Sequence, residues 1–165
     1  MTNNDPLRST ASGSTLEGTV KSVFAGKGFE VIPYSKWFGD KSNYGGELLL
    51  TNAPYTSIYN HKAKTEFLLI SEKKNLKIRI ECKWQQVAGS VDEKFPYLYL
   101  NIIEAIPENY MIVIIEGDGF KPGAIEWFKK AIVEKKYTGE ITKDKNISVM
   151  SLKQFITWAN TTFRR

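Results

Sequence analysis

Regular alternation of apolar and polar residues predicts one β-hairpin near the middle of the chain. Its strands are residues 65–71 and 76–83, and the polar tetrad 72–75 joins them. In the second strand the apolar side chains share one face and the charged side chains share the other. The apolar set is Leu76, Ile78, Ile80 and Cys82, and the charged set is Lys77, Arg79, Glu81 and Lys83.

Apolar residues at helical spacing predict helices on both sides of this hairpin. The first begins at Ser14, where Glu17 completes an S-x-x-E capping box, and ends near Gly26. Further helices are expected over about 90–105, from Gly123 onward, and after a second capping box at 151–154. Short strands are predicted at 29–34, 47–50, 55–59, 110–115 and 147–150, with a turn at 52–54 and a long loop over 35–46.

This order of elements indicates an α/β domain with a central mixed sheet and helices on both faces. The 165 residues, 42% of them hydrophobic, suffice for one core, and we expect a single domain over residues 14–165. Residues 1–13 are rich in Ser, Thr, Asn and Gly and are predicted to form a flexible N-terminal arm.

Composition excludes several classes of site. One cysteine, Cys82, and one histidine, His61, provide neither an internal disulfide nor a Cys/His zinc cage. The longest apolar run, Met111–Ile115, is far too short to span a membrane, so we expect a cytoplasmic protein without membrane contact. The net charge of +5 suits a polyanionic partner and does not by itself identify one.

The hairpin register brings two acidic residues together. If residues 72–75 form a four-residue loop, Glu66 lies directly opposite Glu81, and Lys83 follows on the same face. Like charges directly opposite each other destabilise a sheet unless a cation or a shifted pKa compensates. Two carboxylates completed by water and substrate phosphate match the preference of Mg²⁺, and Lys83 would assist by stabilising charge on phosphorus.

A second interpretation of the same strand stays open at this point. A solvent-facing strand of mixed charge would pair Glu81 with Lys83 or Arg79 and would need no metal. A five-residue loop would also move Glu66 away from Glu81.

The run from Ile78 to Gln86, an apolar strand that ends in Glu-x-Lys and is followed by glutamine, resembles the PD-(D/E)XK nuclease superfamily. The resemblance covers about residues 14–117 and implies a restriction-endonuclease-like, three-layer α/β/α fold with an αβββαβ core. It also implies that Glu66 and Glu81 bind the metal, that Lys83 is the catalytic lysine, and that Gln85, or less favourably Gln86, is the glutamine many members carry.

The chain departs from the motif at the first acidic position. Residues 41–91 contain no aspartate, and Thr65-Glu66 stands where Pro-Asp is expected, which makes Glu47 a rival for this position. Many superfamily members also place an acidic residue on the first helix, pointing at the metal. Glu17 is the candidate here, although its place in the predicted capping box also explains it and is the favoured interpretation.

Basic residues outside the motif are candidates for contacts with the substrate. The set comprises Lys36, Lys41, His61, Lys94 and Lys121. Lys36 and Lys41 lie in an aromatic and basic loop, which suits base stacking and phosphate contact. Lys121 precedes a predicted helix N-terminus, where a phosphate is electrostatically favoured.

Together these features predict a Mg²⁺-dependent endodeoxyribonuclease, of the restriction type or the recombination and repair type, in which Mn²⁺ can replace Mg²⁺. Because a chain of this size has one active site, cleavage of both strands of DNA would require a homodimer. The alternatives are a non-catalytic nucleic-acid-binding module that keeps the nuclease fold, and a protein-interaction domain.

Overall fold

The structure, a computed structural model, describes residues 6–140 and 144–164, with side chains described from Ser14 onward. Its helices are α1 (Pro6–Ala25), α2 (Tyr34–Gly39), α3 (Lys94–Glu104), α4 (Pro122–Glu134) and α5 (Leu152–Thr162). Its strands are β1 (Glu30–Pro33), β2 (Glu47–Thr56), β3 (Lys62–Ser71), β4 (Leu76–Trp84), β5 (Tyr110–Glu116) and β6 (Asn146–Met150). Among these described residues, no helix combines the length and the apolar character that crossing a membrane requires.

The described strands form one mixed sheet whose spatial order, β1 to β6, follows the chain. Strands β2, β3 and β4 pair antiparallel, whereas β1 joins β2, and β5 and β6 join β4, in parallel. The parallel connections run through helices, as such crossovers require. The hairpin of β3 and β4 therefore lies at the centre of the sheet.

Helices cover both faces of the sheet, with one core cluster on one face and two on the other. Helices α1 and α5 pack on one face, against the apolar side chains of β4 that the alternation predicted. Helices α3 and α4 pack on the other face, against β5. Helix α2 covers β1 to β3 on that same face. This confirms the predicted three-layer α/β/α class.

Local signals predicted several elements correctly. Ser151 accepts the Gln154 N–H and the Gln154 side chain accepts the Ser151 N–H, which is the predicted capping box of α5. The apolar residues of β5 from Met111 to Ile114 are buried, as expected for a strand covered on both faces.

Three local predictions are wrong. Helix α1 begins at Pro6, so Ser14 lies in its interior and is not its N-cap. Residues 47–56 form one strand, with no turn at 52–54. Asn52 takes a left-handed φ of 53°, which an asparagine tolerates, and pairing with β3 resumes at Ala53. The predicted loop at 35–46 contains most of α2.

The flexibility of the N-terminal arm stays a prediction. Residues 1–5 lie outside the described part of the chain, and α1 includes residues 6–13.

Arg79 joins β4 to the irregular part of β2. Its guanidinium donates to the carbonyl oxygens of Ala53 at 2.7 Å and Pro54 at 2.9 Å, and its Nε lies 2.7 Å from Glu108 Oε2. Arg79 also donates to Thr65 Oγ1 at 3.3 Å. Arg79 is only 2% exposed, so its guanidinium provides buried hydrogen-bond donors to these oxygen atoms. The strand is therefore not the solvent-facing strand of the second interpretation.

We expect Arg79→Ala to lower the free energy of unfolding by about 3 kcal/mol, because it leaves a largely buried carboxylate and two carbonyls without their donor. Urea denaturation measures this change. Lys77→Ala is the matched control, since Lys77 lies on the same strand and is exposed, and it should change stability by no more than about 0.5 kcal/mol. Equal changes in the free energy of unfolding for the two substitutions would contradict the proposal that the Arg79 hydrogen bonds stabilise the fold.

Candidate functional site

The candidate site lies where the β3–β4 ladder ends. Ser71 pairs with Leu76, which confirms the predicted four-residue loop, and the last paired residues are Phe67 and Ile80. The next residues on the two strands are Glu66 and Glu81. The strands separate beyond this point, and we call the opening between them the fork, formed by residues 65–66 of β3 and 81–83 of β4.

The Glu66 side chain does not follow the regular alternation of side chains along β3. Its Oε2 accepts the backbone N–H of Cys82 at 3.0 Å, which replaces a ladder hydrogen bond. Strict alternation would place Glu66 on the face of Arg79, but Thr65 occupies that position. Glu66 instead lines a pocket of about 280 Å³ together with Glu17 and Lys21 of α1. The register was predicted correctly and the Glu66 and Glu81 carboxyl groups meet as predicted, but Glu66 lines the pocket beside α1 and not the face of Arg79.

Glu81 and Lys83 form a close ion pair inside the fork. The Lys83 ammonium donates to Glu81 Oε1 at 2.5 Å. Glu81 is 8% exposed, and its second oxygen, Oε2, is buried; no donor among the described residues reaches it unless the adjacent Glu66 carboxyl carries the proton of a Glu66–Glu81 hydrogen bond. A buried carboxylate oxygen without a donor is costly unless a proton or a cation completes it.

The electrostatics of the fork show that its negative charge is not fully compensated. Burial and the adjacent Glu81 carboxylate raise the pKa of Glu66 to about 8. Burial lowers the pKa of Lys83, but Glu81 and Glu66 outweigh this effect and leave the pKa above its ordinary value. Lys83 therefore stays protonated at neutral pH, while Glu66 holds a proton that a metal ion would displace.

Glu17 faces the fork from α1. Because the helix begins eight residues before Ser14, the predicted capping box does not exist and cannot explain Glu17. Burial and the neighbouring Glu66 raise the pKa of Glu17, so its carboxyl lies within electrostatic reach of the fork. The structure thus replaces the favoured interpretation of Glu17 with the second one, an acidic residue directed at the candidate site.

The donor set of the fork fits a hard divalent cation. Among the described residues, no three His, Cys, Asp or Glu side chains are grouped closely enough to hold an ion by themselves. Mg²⁺ does not need such a group, because it keeps several waters and binds through one or two carboxylates plus phosphate. The buried Oε2 of Glu81 beside the Glu66 carboxyl provides that minimal set.

Glu47, the rival for the first acidic position, lies at the far end of the hairpin. It is paired with Ser71, and its carboxylate accepts hydrogen bonds from the Ser71 hydroxyl at 2.7 Å and the Lys73 N–H at 2.9 Å. Glu47 therefore stabilises the turn and does not take part in the site.

Gln85 is fully engaged in holding two loops together. Its amide nitrogen donates to Asp92 at 3.2 Å and to the carbonyl oxygen of Gly119 at 2.9 Å, and its amide oxygen accepts the Val91 N–H at 3.0 Å. The structure does not bring this side chain to the carboxylates, so the geometry indicates a positioning residue for the end of β4. Gln86, the less favoured candidate, is exposed.

The structure scatters the predicted substrate-binding residues around the molecule and leaves all of them exposed. Lys41 lies 4.7 Å from the Trp37 ring, and Lys36 belongs to the same aromatic segment, α2. Lys94 begins α3. The backbone N–H of Lys121 already donates to Asp92, which weakens the case for a phosphate at the start of α4.

Several residues near the fork carry no sequence motif that would identify them. Tyr55 packs its ring 5.8 Å from the Arg79 guanidinium, and burial together with Glu81 raises its pKa. Lys21 and Lys64 line the pocket beside Glu66. Helix packing and the kink in β2 bring these residues together, and single-strand periodicity does not show either feature.

The raised pKa of Glu66 predicts how stability depends on pH in the presence of a chelator. The folded chain keeps a proton on Glu66 that the unfolded chain releases near pH 4.5, so wild type should lose stability relative to Glu66→Gln as pH rises from 4.5 to about 8. Adding Mg²⁺ should restore more stability at pH 8 than at pH 5.

Urea denaturation across this range tests the prediction, with Glu47→Gln as the control that should keep the wild-type pH dependence. Parallel stability curves for wild type and Glu66→Gln would refute the coupling between burial and protonation at Glu66.

Comparison with known proteins agrees with this geometry. A family model described as a PD-(D/E)XK nuclease superfamily domain matches residues 8–163, which is nearly the whole chain. No curated protein and no solved structure matched. Superfamily members are generally nucleases that act on nucleic acid and use divalent metals. With the fold, the fork and this match in agreement, the chain belongs to the PD-(D/E)XK nuclease superfamily.

Proposed function

We propose that the protein is a Mg²⁺-dependent endodeoxyribonuclease whose cation binds between Glu66 and Glu81. The observation that carries this proposal is the buried Oε2 of Glu81: once the neighbouring Glu66 carboxyl is ionised, no donor among the described residues reaches it, while Lys83 is bound to Oε1. Mn²⁺, which accepts the same oxygen ligands, should substitute for Mg²⁺.

The residues of the fork have different roles in the proposed phosphodiester hydrolysis. A bound divalent cation supplies Lewis acidity toward the phosphate and acidifies a water molecule. Lys83 stays protonated and contributes positive charge where negative charge develops on phosphorus. The Lys83 ammonium donates to Glu81 at 2.5 Å, so the position of the proposed catalytic lysine depends on the Glu81 carboxylate.

Two further residues complete the proposed site. Glu17 belongs to it as a carboxylate on α1 that lies near Glu66. Among the described residues, Glu17, Glu66 and Glu81 do not form a three-ligand metal group, so we do not assign Glu17 as a direct ligand. Gln85 keeps the end of β4 in position through its hydrogen bonds to the two neighbouring loops.

The remaining parts of the proposal concern DNA and its surroundings. The net charge of +5 favours a polyanion, and Lys36, Lys41, His61, Lys94 and Lys121 stay proposed contacts. Cleavage of both strands would use two copies of the chain. The single cysteine supports a reducing compartment, the cytoplasm, as the place of action.

Incubation with supercoiled circular DNA tests the proposal. Wild type should nick or linearise the circle with Mg²⁺ or Mn²⁺ and should be inactive with a chelator. Lys83→Met and Glu81→Gln should each lower the cleavage rate by about 100-fold or more, because the first removes the ammonium that stabilises charge on phosphorus and the second removes a carboxylate ligand of the cation. DNA binding measured with a chelator should persist in both variants.

Lys77→Met is the matched control, because it removes a lysine from the same strand at an exposed position away from the fork. It should cleave like wild type. Cleavage without any divalent metal, or full activity of Lys83→Met, would overturn the proposed chemistry. Binding of DNA without any cleavage by wild type would favour the non-catalytic module instead.

A further inference from the structure

Tyr59, Tyr97 and His61 form an aromatic strip beside the β2–β3 turn. Tyr59 and Tyr97 stack with ring centroids 5.2 Å apart and an interplanar angle of 23°, and His61 meets Tyr59 edge-on at 6.5 Å. Tyr59 is 65% exposed and Tyr97 is 36% exposed, so this stack presents aromatic surface to solvent. An exposed stack of this kind needs an explanation.

Tyr55 lies between the strip and the proposed active site, close enough to Glu81 and to Tyr97 for both to contribute to its raised pKa. Tyr55, on the strand that leads into the turn, packs against Arg79, and Arg79 lies two residues before Glu81 on the same strand. From Lys62, beside the turn, to Glu66 the β3 strand covers roughly 13 Å. The aromatic surface therefore begins within a few nucleotides of the carboxylates.

Buried hydrogen bonds fix the strip in advance of any binding. Asn101, which is fully buried, accepts the Ile58 N–H at 2.9 Å and donates to the Tyr97 carbonyl at 3.0 Å, so it ties the turn to α3. Within the turn, the Ser57 N–H donates to the His61 carbonyl at 2.8 Å. A rigid aromatic surface loses little entropy when it binds a planar partner.

Positive charge flanks the strip on two sides. Lys62 begins β3 next to His61, and Lys94 lies one helical turn before Tyr97 on α3. Both lysines are exposed. Stacking surfaces bordered by cations are the arrangement that binds single-stranded nucleic acid, because every base has a stacking face and every nucleotide has a phosphate.

We propose that unpaired nucleotides of the substrate stack on Tyr59 and Tyr97, so that the enzyme prefers DNA with a single-stranded segment beside the cleaved bond. This inference rests on the proposed nuclease function and adds the class of substrate. Paired bases do not expose their faces, so blunt duplex DNA gains nothing from the strip.

Fluorescence anisotropy with a labelled single-stranded oligonucleotide and a blunt duplex of the same sequence, both in chelator, tests the stacking directly. Wild type should bind the single strand more tightly than the duplex. Tyr59→Leu should weaken single-strand binding by about fivefold or more, relative to its effect on the duplex. Its salt dependence should stay that of wild type, because no charge is removed.

Two matched variants separate stacking from folding. Tyr59→Phe keeps the ring and should retain the single-strand preference. Tyr110→Leu removes a 47% exposed tyrosine at the start of β5, away from the fork, and should bind like wild type. Equal weakening of single-strand and duplex binding by Tyr59→Leu, or no single-strand preference in wild type, would overturn the inference.

Cleavage in Mg²⁺ provides the second arm. Wild type should cut a duplex with a single-stranded overhang faster than a blunt duplex, and Tyr59→Leu should bring the two rates together. If wild type cuts neither, the nuclease function fails, and the binding arm still decides whether the strip holds unpaired bases. If wild type cuts both at equal rates, the nuclease function stands and the preference for unpaired DNA is refuted.

Discussion

The fork depends on one electrostatic constraint: the carboxyl groups of the buried Glu81 and the half-buried Glu66 meet where a β-ladder ends, and among the described residues Lys83 alone forms an ion pair with either of them. Lys83 pairs with Glu81 Oε1, and the described residues offer Oε2 no donor other than a protonated Glu66, whose pKa is raised to about 8. Such an arrangement is unfavourable for stability alone, because apolar residues would fill the same space at lower cost. A site that binds a cation during catalysis accounts for the loss of stability that these carboxylates cause.

The rest of the fold holds the fork open and rigid. Arg79 satisfies the carbonyls that the kinked β2 strand exposes, and Gln85 fixes the end of β4 to the loops that lead into α3 and α4. Both side chains are buried and neither resembles a reactive group. They act as positioning residues, which keep the fork carboxylates and Lys83 within a narrow range of geometries.

The sequence was sufficient to predict those features that depend on residues close together in the chain. Strict alternation and a polar tetrad determine the register of the hairpin, and Ser151 with Gln154 determines where α5 begins. It was insufficient where tertiary packing decides. Ser14 satisfies the capping pattern but lies inside a longer helix, and Asn52 continues a strand in a left-handed conformation that usually marks a turn. The approach of Glu17 and Tyr55 to the fork depends on how α1 and β2 pack, which no periodicity records.

Anomalous diffraction from crystals grown with Mn²⁺, above the pKa of Glu66, tests the central claim most directly. If the fork is a metal site, an anomalous peak lies within coordination distance of the carboxyl oxygens of both Glu66 and Glu81. Manganese bound only elsewhere in the molecule, or a map without an anomalous peak at the fork, would contradict it.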